Sequence, residues 1–197
     1  MQTPWGESQD VTSTGRGILR VDTARHGGYF LDHDRQKRVR LMFPKFQPFA
    51  GWPWFEEDQD WAVVALAFPE SFTPAQLRGA VRTVALSVRM EAEHATDDRI
   101  VGGRGARGWC DVADWLESPA SAYARETVAT FEHEHADEWE TGGGGTLSTD
   151  PEFSWYSHLT RIGDGAKQTR CFREYPRRGM YSDAELDALS VPERRAA

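Results

Sequence analysis

The segment beginning Thr73-Pro74-Ala75-Gln76 constrains the fold most tightly. Thr supplies an N-cap, Pro fits the first helical position, and Gln stands where a capping box needs it. Leu77, Val81, Val84, Ala85, Val88 and Ala92 then recur at helical spacing, with Arg78, Arg82, Arg89 and Glu93 on another face. The pattern predicts an amphipathic helix over 74–94. A helix with one apolar stripe must pack on something, so the rest of the chain has to supply a second layer.

The flanking sequence points to strands on both sides. Residues 17–23 alternate, setting Ile18, Arg20 and Asp22 against Leu19, Val21 and Thr23. Tyr29-Phe30-Leu31 reads as a partner strand, and His26-Gly27-Gly28 as the reversal between them. Phe153–Arg161 and Ala166–Tyr175 form a second expected hairpin around Gly163-Asp164-Gly165. Asp34–Met42 reads as a short polar helix. The segment from Phe43 to Phe55 holds six rings and three prolines, which exclude a regular helix. It is either a loop plugged into the core or an aromatic binding surface that uses Trp52 and Trp54. Trp61–Phe68 fits a buried helix or a buried strand, and the acids ahead of it favour the helix. Val101–Gly108 reads as a flexible loop, followed by a short helix from Trp109 to Leu116. Ser118-Pro119 is expected to open a helix reaching Glu140, ended by Gly142–Gly145. Ser182-Asp183-Ala184-Glu185 is a second capping box for a terminal helix to about Leu189, and Pro192–Ala197 reads as a frayed end.

The fold class expected is α+β. Helices 74–94 and 119–140 pack on a small antiparallel sheet built from the N- and C-terminal hairpins. One domain is expected over 1–197, with sub-regions 1–72, 73–141 and 146–191. No apolar run is long enough for a membrane span. The start, Met1-Gln2-Thr3-Pro4-Trp5, has no signal-peptide pattern. Cys110 and Cys171 read as free thiols, so a cytoplasmic location is expected. No motif calls for a cofactor, and oligomeric state is left open.

Charge is unevenly distributed. The formal net charge is −8, and residues 111–140 hold nine acids and one base. The remainder is balanced, so generic nucleic-acid binding is not expected. Glu126, Glu134, Asp137, Glu138 and Glu140 would form an acidic helical face beside an apolar stripe of Tyr123, Phe131 and Trp139. That face is a candidate surface for a basic partner. His133 and His135 are two apart rather than four, so they do not make the HExxH zinc site.

Candidate chemistry lies in the N-terminal half. His26 has the titration range of a general base, and Gly27-Gly28 would let a ligand approach the backbone. An acid from Glu56, Glu57, Asp58 or Asp60 would orient it, with Thr23 or the glycine amides holding an oxyanion. Glu57 and Asp58 are the preferred partners of His26 in this scheme. Consecutive acids rarely converge on one ion, so no metal is assigned. Cys110, at a helix start, is a weaker nucleophile candidate.

Trp5-Gly6, Gln9, Gly17-Ile18, Thr23, His26-Gly27-Gly28, Glu56-Glu57-Asp58, Asp60-Trp61-Ala62, Ala65 and Phe68-Pro69 occur in order. Together they resemble a domain-of-unknown-function family of phage, plasmid and integrative-element proteins, over about a third of the chain. The chain departs from that pattern at Gln59, where a Cys often stands, so a thiol there is not an indispensable nucleophile. The resemblance implies an accessory gene of a mobile element and transfers no reaction. Such elements carry small inhibitors of host defence. The reading preferred from sequence is therefore a protein-binding inhibitor, anti-CRISPR or antirestriction in type, whose acidic surface meets a host protein or nucleoprotein complex. A small hydrolase or transferase built on His26, or a structural accessory domain, are the alternatives.

Overall fold

The apolar run after Asp60 folds as a helix, and the larger of two compact units is organised around it. The computed structural model describes residues 1–95, 107–146, 155–174, 176–177 and 179–190. The expected loop residues 101–106, the first residues of the 153–161 strand, Tyr175 and the C-terminal end from 191 lie outside the described residues. The units are Met1–Val128 and Ala129–Ala197. The architecture is α+β, with two antiparallel sheets. The expected N- and C-terminal hairpins therefore do not share one sheet.

In the first unit the strands run in the order β1 (Gln2–Thr3), β2 (Gly6–Gly15), β3 (Ile18–Thr23), β4 (Gly27–Leu31) and β5 (Trp54–Glu56). The β3–β4 hairpin turns on Thr23–His26, not on the glycines. The Thr23 amide donates to the His26 carbonyl at 2.9 Å, and the Thr23 hydroxyl donates to the same oxygen at 2.6 Å. Gly27 and Gly28 are inside β4, paired with Asp22 and Val21.

Helix α1 (His33–Met42) is capped by Asp32, whose carboxylate accepts from the Arg35 amide at 2.9 Å. The aromatic segment after it is mostly a core plug. Phe43, Phe46 and Phe55 are buried, and Phe46 stacks on Phe55 at 6.4 Å. Helix α2 (Trp61–Ala67) is buried from Ala62 onward. Helix α3 (Pro74–Ala95) starts with the expected capping box: Gln76 Oε1 accepts from the Thr73 amide at 2.9 Å. Its buried stripe is Leu77, Ala80, Val84 and Ser87, with Val81 and Val88 partly covered. Ala85 and Ala92 are exposed and Arg78 is buried, so the packed face is rotated from the one expected.

Helix α4 (Trp109–Glu117) begins at a built cap. The Glu91 carboxylate of α3 accepts from the amides of Gly108 at 3.2 Å, Trp109 at 3.1 Å, and Arg107. Gly108 has φ +83°, and a Cβ there would stand 2.5 Å from the Lys45 carbonyl oxygen. Trp109 then packs edge-on to Phe46 at 5.1 Å.

The expected helix to Glu140 is shorter. Pro119–Ser121 is one 3₁₀ turn, and α5 runs Ala122–Glu134. Its buried positions are Ala124, Val128 and Phe131, while Tyr123 is 60 % exposed. Tyr123 is one residue off the stripe, about 100° around the helix. Asp137 and Glu138 therefore lie in a turn, and Glu140 lies in strand β6 (Trp139–Thr146). Gly142–Gly145 belong to that strand rather than to a hinge. A Cβ on Gly144 would overlap the Tyr156 carbonyl, so these glycines serve close strand approach at a bulge.

The second unit pairs β6 with β7 (Trp155–Arg161), followed by β8 (Lys167–Phe172) and, on the other side, β9 (Met180–Tyr181). Helix α6 (Asp183–Leu189) carries the complete Ser182–Glu185 capping box. Trp139, Leu159, Phe172 and Leu186 form this unit's apolar cluster. At the β7–β8 turn Asp164 is held well below the ordinary carboxylate range by hydrogen bonds from Arg161 and the Ala166 amide. Among the described residues no helix is long and apolar enough to cross a membrane.

The Glu91 cap is testable. Glu91→Ala leaves backbone donors at the start of α4 without their acceptor, at an expected cost of about 2 kcal/mol. Urea unfolding followed by tryptophan fluorescence checks this, and an unchanged midpoint would show that the cap contributes nothing.

Candidate functional site

In the first unit, four of the residues that carry the family resemblance, Trp5, His26, Glu56 and Asp58, face one open cleft of about 230 Å³. Trp5, His26, Phe49, Glu56, Asp58, Gln59 and Arg107 line it. Trp5 lies in the tight β1–β2 turn, where Thr3 Oγ1 accepts from its amide at 3.1 Å. Its ring packs edge-on to Trp54 at 5.8 Å and covers Gly28. A Cβ at Gly28 would lie 2.5 Å from the Trp5 ring and would overlap the Phe55 carbonyl. One at Gly27 would lie 2.8 Å from carboxylate oxygens of both Asp22 and Glu57. Both glycines are therefore needed for packing between strands, ring and acids, not to open the backbone to a ligand.

The five residues Glu56–Asp60 have separate duties. Glu56 leaves β5 and folds its carboxylate back over the turn, accepting from the amides of Asp58 at 2.7 Å and Gln59 at 2.9 Å. Glu57 lies beside Gly27 and is not among the cleft-lining residues. Asp58 is exposed at the cleft. Asp60 is fully buried. Its carboxylate accepts from the Phe49 amide at 2.6 Å and from the Arg107 guanidinium. Arg107 also donates from Nη1 to Gln59 Oε1 at 3.5 Å, and its guanidinium stands 5.6 Å from the centre of the Phe49 ring.

His26, Glu56 and Asp58 line the same cleft, while Glu57, a preferred partner in the sequence scheme, does not. Among the described residues no hydrogen bond or ion pair joins the His26 imidazole to an acid. Thr23 is engaged in the turn, and Gly27 and Gly28 are engaged in strand pairing. Among the described residues no group of three or more His, Cys, Asp or Glu side chains is placed to hold a metal. Cys110 is exposed and Cys171 half-buried, and both are free thiols.

The candidate partner-binding residues belong to both units: Trp52, Trp54 and Glu126 to the first, Glu134, Asp137, Glu138 and Glu140 to the second. Glu126 and Glu134 are both exposed on α5. Asp137 is exposed in the following turn, where Glu138 meets His135 Nδ1 at 3.0 Å. Trp52 is half-buried, edge-on to Phe55 at 5.3 Å with the Arg40 guanidinium 4.2 Å over its ring. Trp54 is half-buried between Trp5 and Phe30. Four cleft residues, Trp5, Phe49, Gln59 and Arg107, were not legible as site residues. Arg107 sits in a Gly-rich stretch with several arginines, and nothing local marks it as the partner of Asp60.

Residues 1–107 match the model of the family described as Domain of unknown function (DUF7007), and the chain belongs to that family. No curated protein and no solved structure matches the chain.

Burial pushes Asp60 up to about 6, against the Arg107 charge and the Phe49 amide, which pull it down. An acid whose native pKa exceeds its unfolded value binds its proton more tightly when folded. Its contribution to stability is therefore full below about pH 4 and is lost as pH rises through about 6, by up to about 3 kcal/mol. Asp60→Asn should remove that dependence. Urea unfolding of both proteins at pH 4 and pH 7 measures it, and an equal stability difference at the two pH values would contradict the raised pKa.

Proposed function

We propose that this protein works by binding. It is a mobile-element accessory protein of the cytoplasm whose acidic surface occupies a basic face of a host defence complex, in the manner of anti-CRISPR or antirestriction inhibitors. The observation that carries this reading is the pair Glu126 and Glu134. Both are exposed on α5, in the segment that holds the chain's whole net charge, and neither forms an ion pair among the described residues. Unopposed carboxylates cost little in water and are available to a basic surface, where they act mainly on association rate and on choice of partner. The structural duties of Thr23, Gly27, Gly28 and Asp60 also remove several parts that the catalytic scheme needs.

The acidic surface predicts that Glu126→Lys, Glu134→Lys and Asp137→Lys together weaken inhibition of the target complex at least about tenfold, with the fold unchanged by circular dichroism. Inhibition assays against CRISPR effector and restriction complexes, run with both proteins, are the measurement. Full inhibition by the triple variant would overturn the acidic-surface reading.

The cleft supports a second reading, a small hydrolase or transferase, because His26, Glu56 and Asp58 line it together. On that reading His26→Ala abolishes turnover of nucleotide or peptide substrates in a hydrolysis screen. Equal turnover in wild type and variant would exclude His26 as the base.

A further inference from the structure

The cleft's charges are not equally committed. Arg107 brings a positive charge to the wall, but its guanidinium is bonded to the buried Asp60, which offsets it locally. Glu56 and Asp58 add two carboxylates with no cation paired to them among the described residues. The cleft is therefore suited to a cation rather than to a phosphate. Its remaining walls are the His26 imidazole, the Gln59 amide and the rings of Trp5 and Phe49. Trp5 is held in place by Trp54 and by its seat over Gly28. Phe49, 52 % exposed, is the most exposed of the six rings of the Phe43–Phe55 segment, and the Arg107 guanidinium stands 5.6 Å from its centre.

Carboxylates beside aromatic rings recognise one chemical group better than others. A guanidinium is planar, weakly hydrated, able to stack on a ring, and able to donate two parallel hydrogen bonds to a carboxylate. An alkylammonium has the charge but neither the plane nor the fork. We propose that the cleft formed by Trp5, Phe49, Glu56, Asp58 and Gln59 is a binding site for an arginine side chain of a partner protein. Asp58 supplies the accessible carboxylate and Phe49 the ring face. Glu56, whose oxygens already accept two amides, fixes the turn and contributes charge. The site lies wholly within the first unit. It goes beyond the acidic surface of α5 and does not rest on it.

The probe is capped arginine, N-acetyl-arginine amide, titrated into the full ¹⁵N-labelled chain. The expected result is saturable shifts at the backbone amides of His26, Asp58 and Gln59. Asp58→Asn and Phe49→Ala should each weaken binding at least about threefold, as expected for a partly exposed cation contact. Both positions are exposed, so the fold should survive, and the amide spectrum reports directly whether it does. Glu126→Lys with Glu134→Lys should leave the titration unchanged, which separates failure here from failure of the acidic-surface reading. Absence of saturable shifts, equal affinity in both cleft variants, or saturable binding of inorganic phosphate at these amides in place of arginine would overturn the proposal.

Discussion

A carboxylate placed wholly out of water is costly unless it is bonded on its open sides. Asp60 is such a group, and much of the first unit is arranged to satisfy it. It accepts from the Phe49 amide, which fixes the aromatic segment, and from Arg107, which fixes the approach to α4. The same approach is tied a second time, because the Gln47 amide donates to the Arg107 carbonyl at 2.9 Å. Asp60 also stands immediately before α2, the most deeply buried helix. One side chain thus joins a loop, a helix start and a segment 47 residues away. Replacing it with an apolar residue would strand both Arg107 and the Phe49 amide.

This arrangement changes how the family pattern reads. Residues such as His26-Gly27-Gly28 and Glu56-Glu57-Asp58 look like chemistry when met as a string. In three dimensions most have a structural task. Gly28 makes room for Trp5, Gly27 for two carboxylates, Glu56 caps a turn, and Asp60 anchors the core. What remains accessible is narrower: His26, Asp58 and the cleft walls. Recurrence of a short motif can thus reflect the demands of close backbone packing as much as those of a reaction.

Local signals were legible where local physics decides the structure. Both capping boxes, at Thr73 and Ser182, are formed as the residues require. The second hairpin and the buried α2 were also readable, the latter because acids preceded an unbroken apolar run. Local pattern misleads where a neighbour distant in sequence decides. Trp139 and Glu140 continue a helical pattern in sequence, yet they pair with Arg161 and Thr160 across a sheet. The four glycines that seem to end a helix are strand residues, with Gly144 and Gly145 pressed against Tyr156 and Gly142 against the His158 carbonyl. The site divides in the same way. His26, Glu56 and Asp58 were visible as residue types, and they do share a cleft. Phe49 and Arg107 were not visible, because both take their places through Asp60, and no spacing rule links residues 49, 60 and 107.

The Glu91 cap ties the family segment to the residues that follow it. The family match stops at residue 107, but the core it builds does not. Trp109, Val112 and Leu116 of α4 belong to the same apolar cluster as Phe46 and Phe55. The family segment is therefore not a self-sufficient module with a free end. It presents a preformed socket, a carboxylate ready to receive helix amides and an aromatic wall beside it. In this chain the helix start at Gly108–Trp109 and the Trp109 ring fill that socket, so the segment after residue 107 completes a core that residues 1–107 leave open.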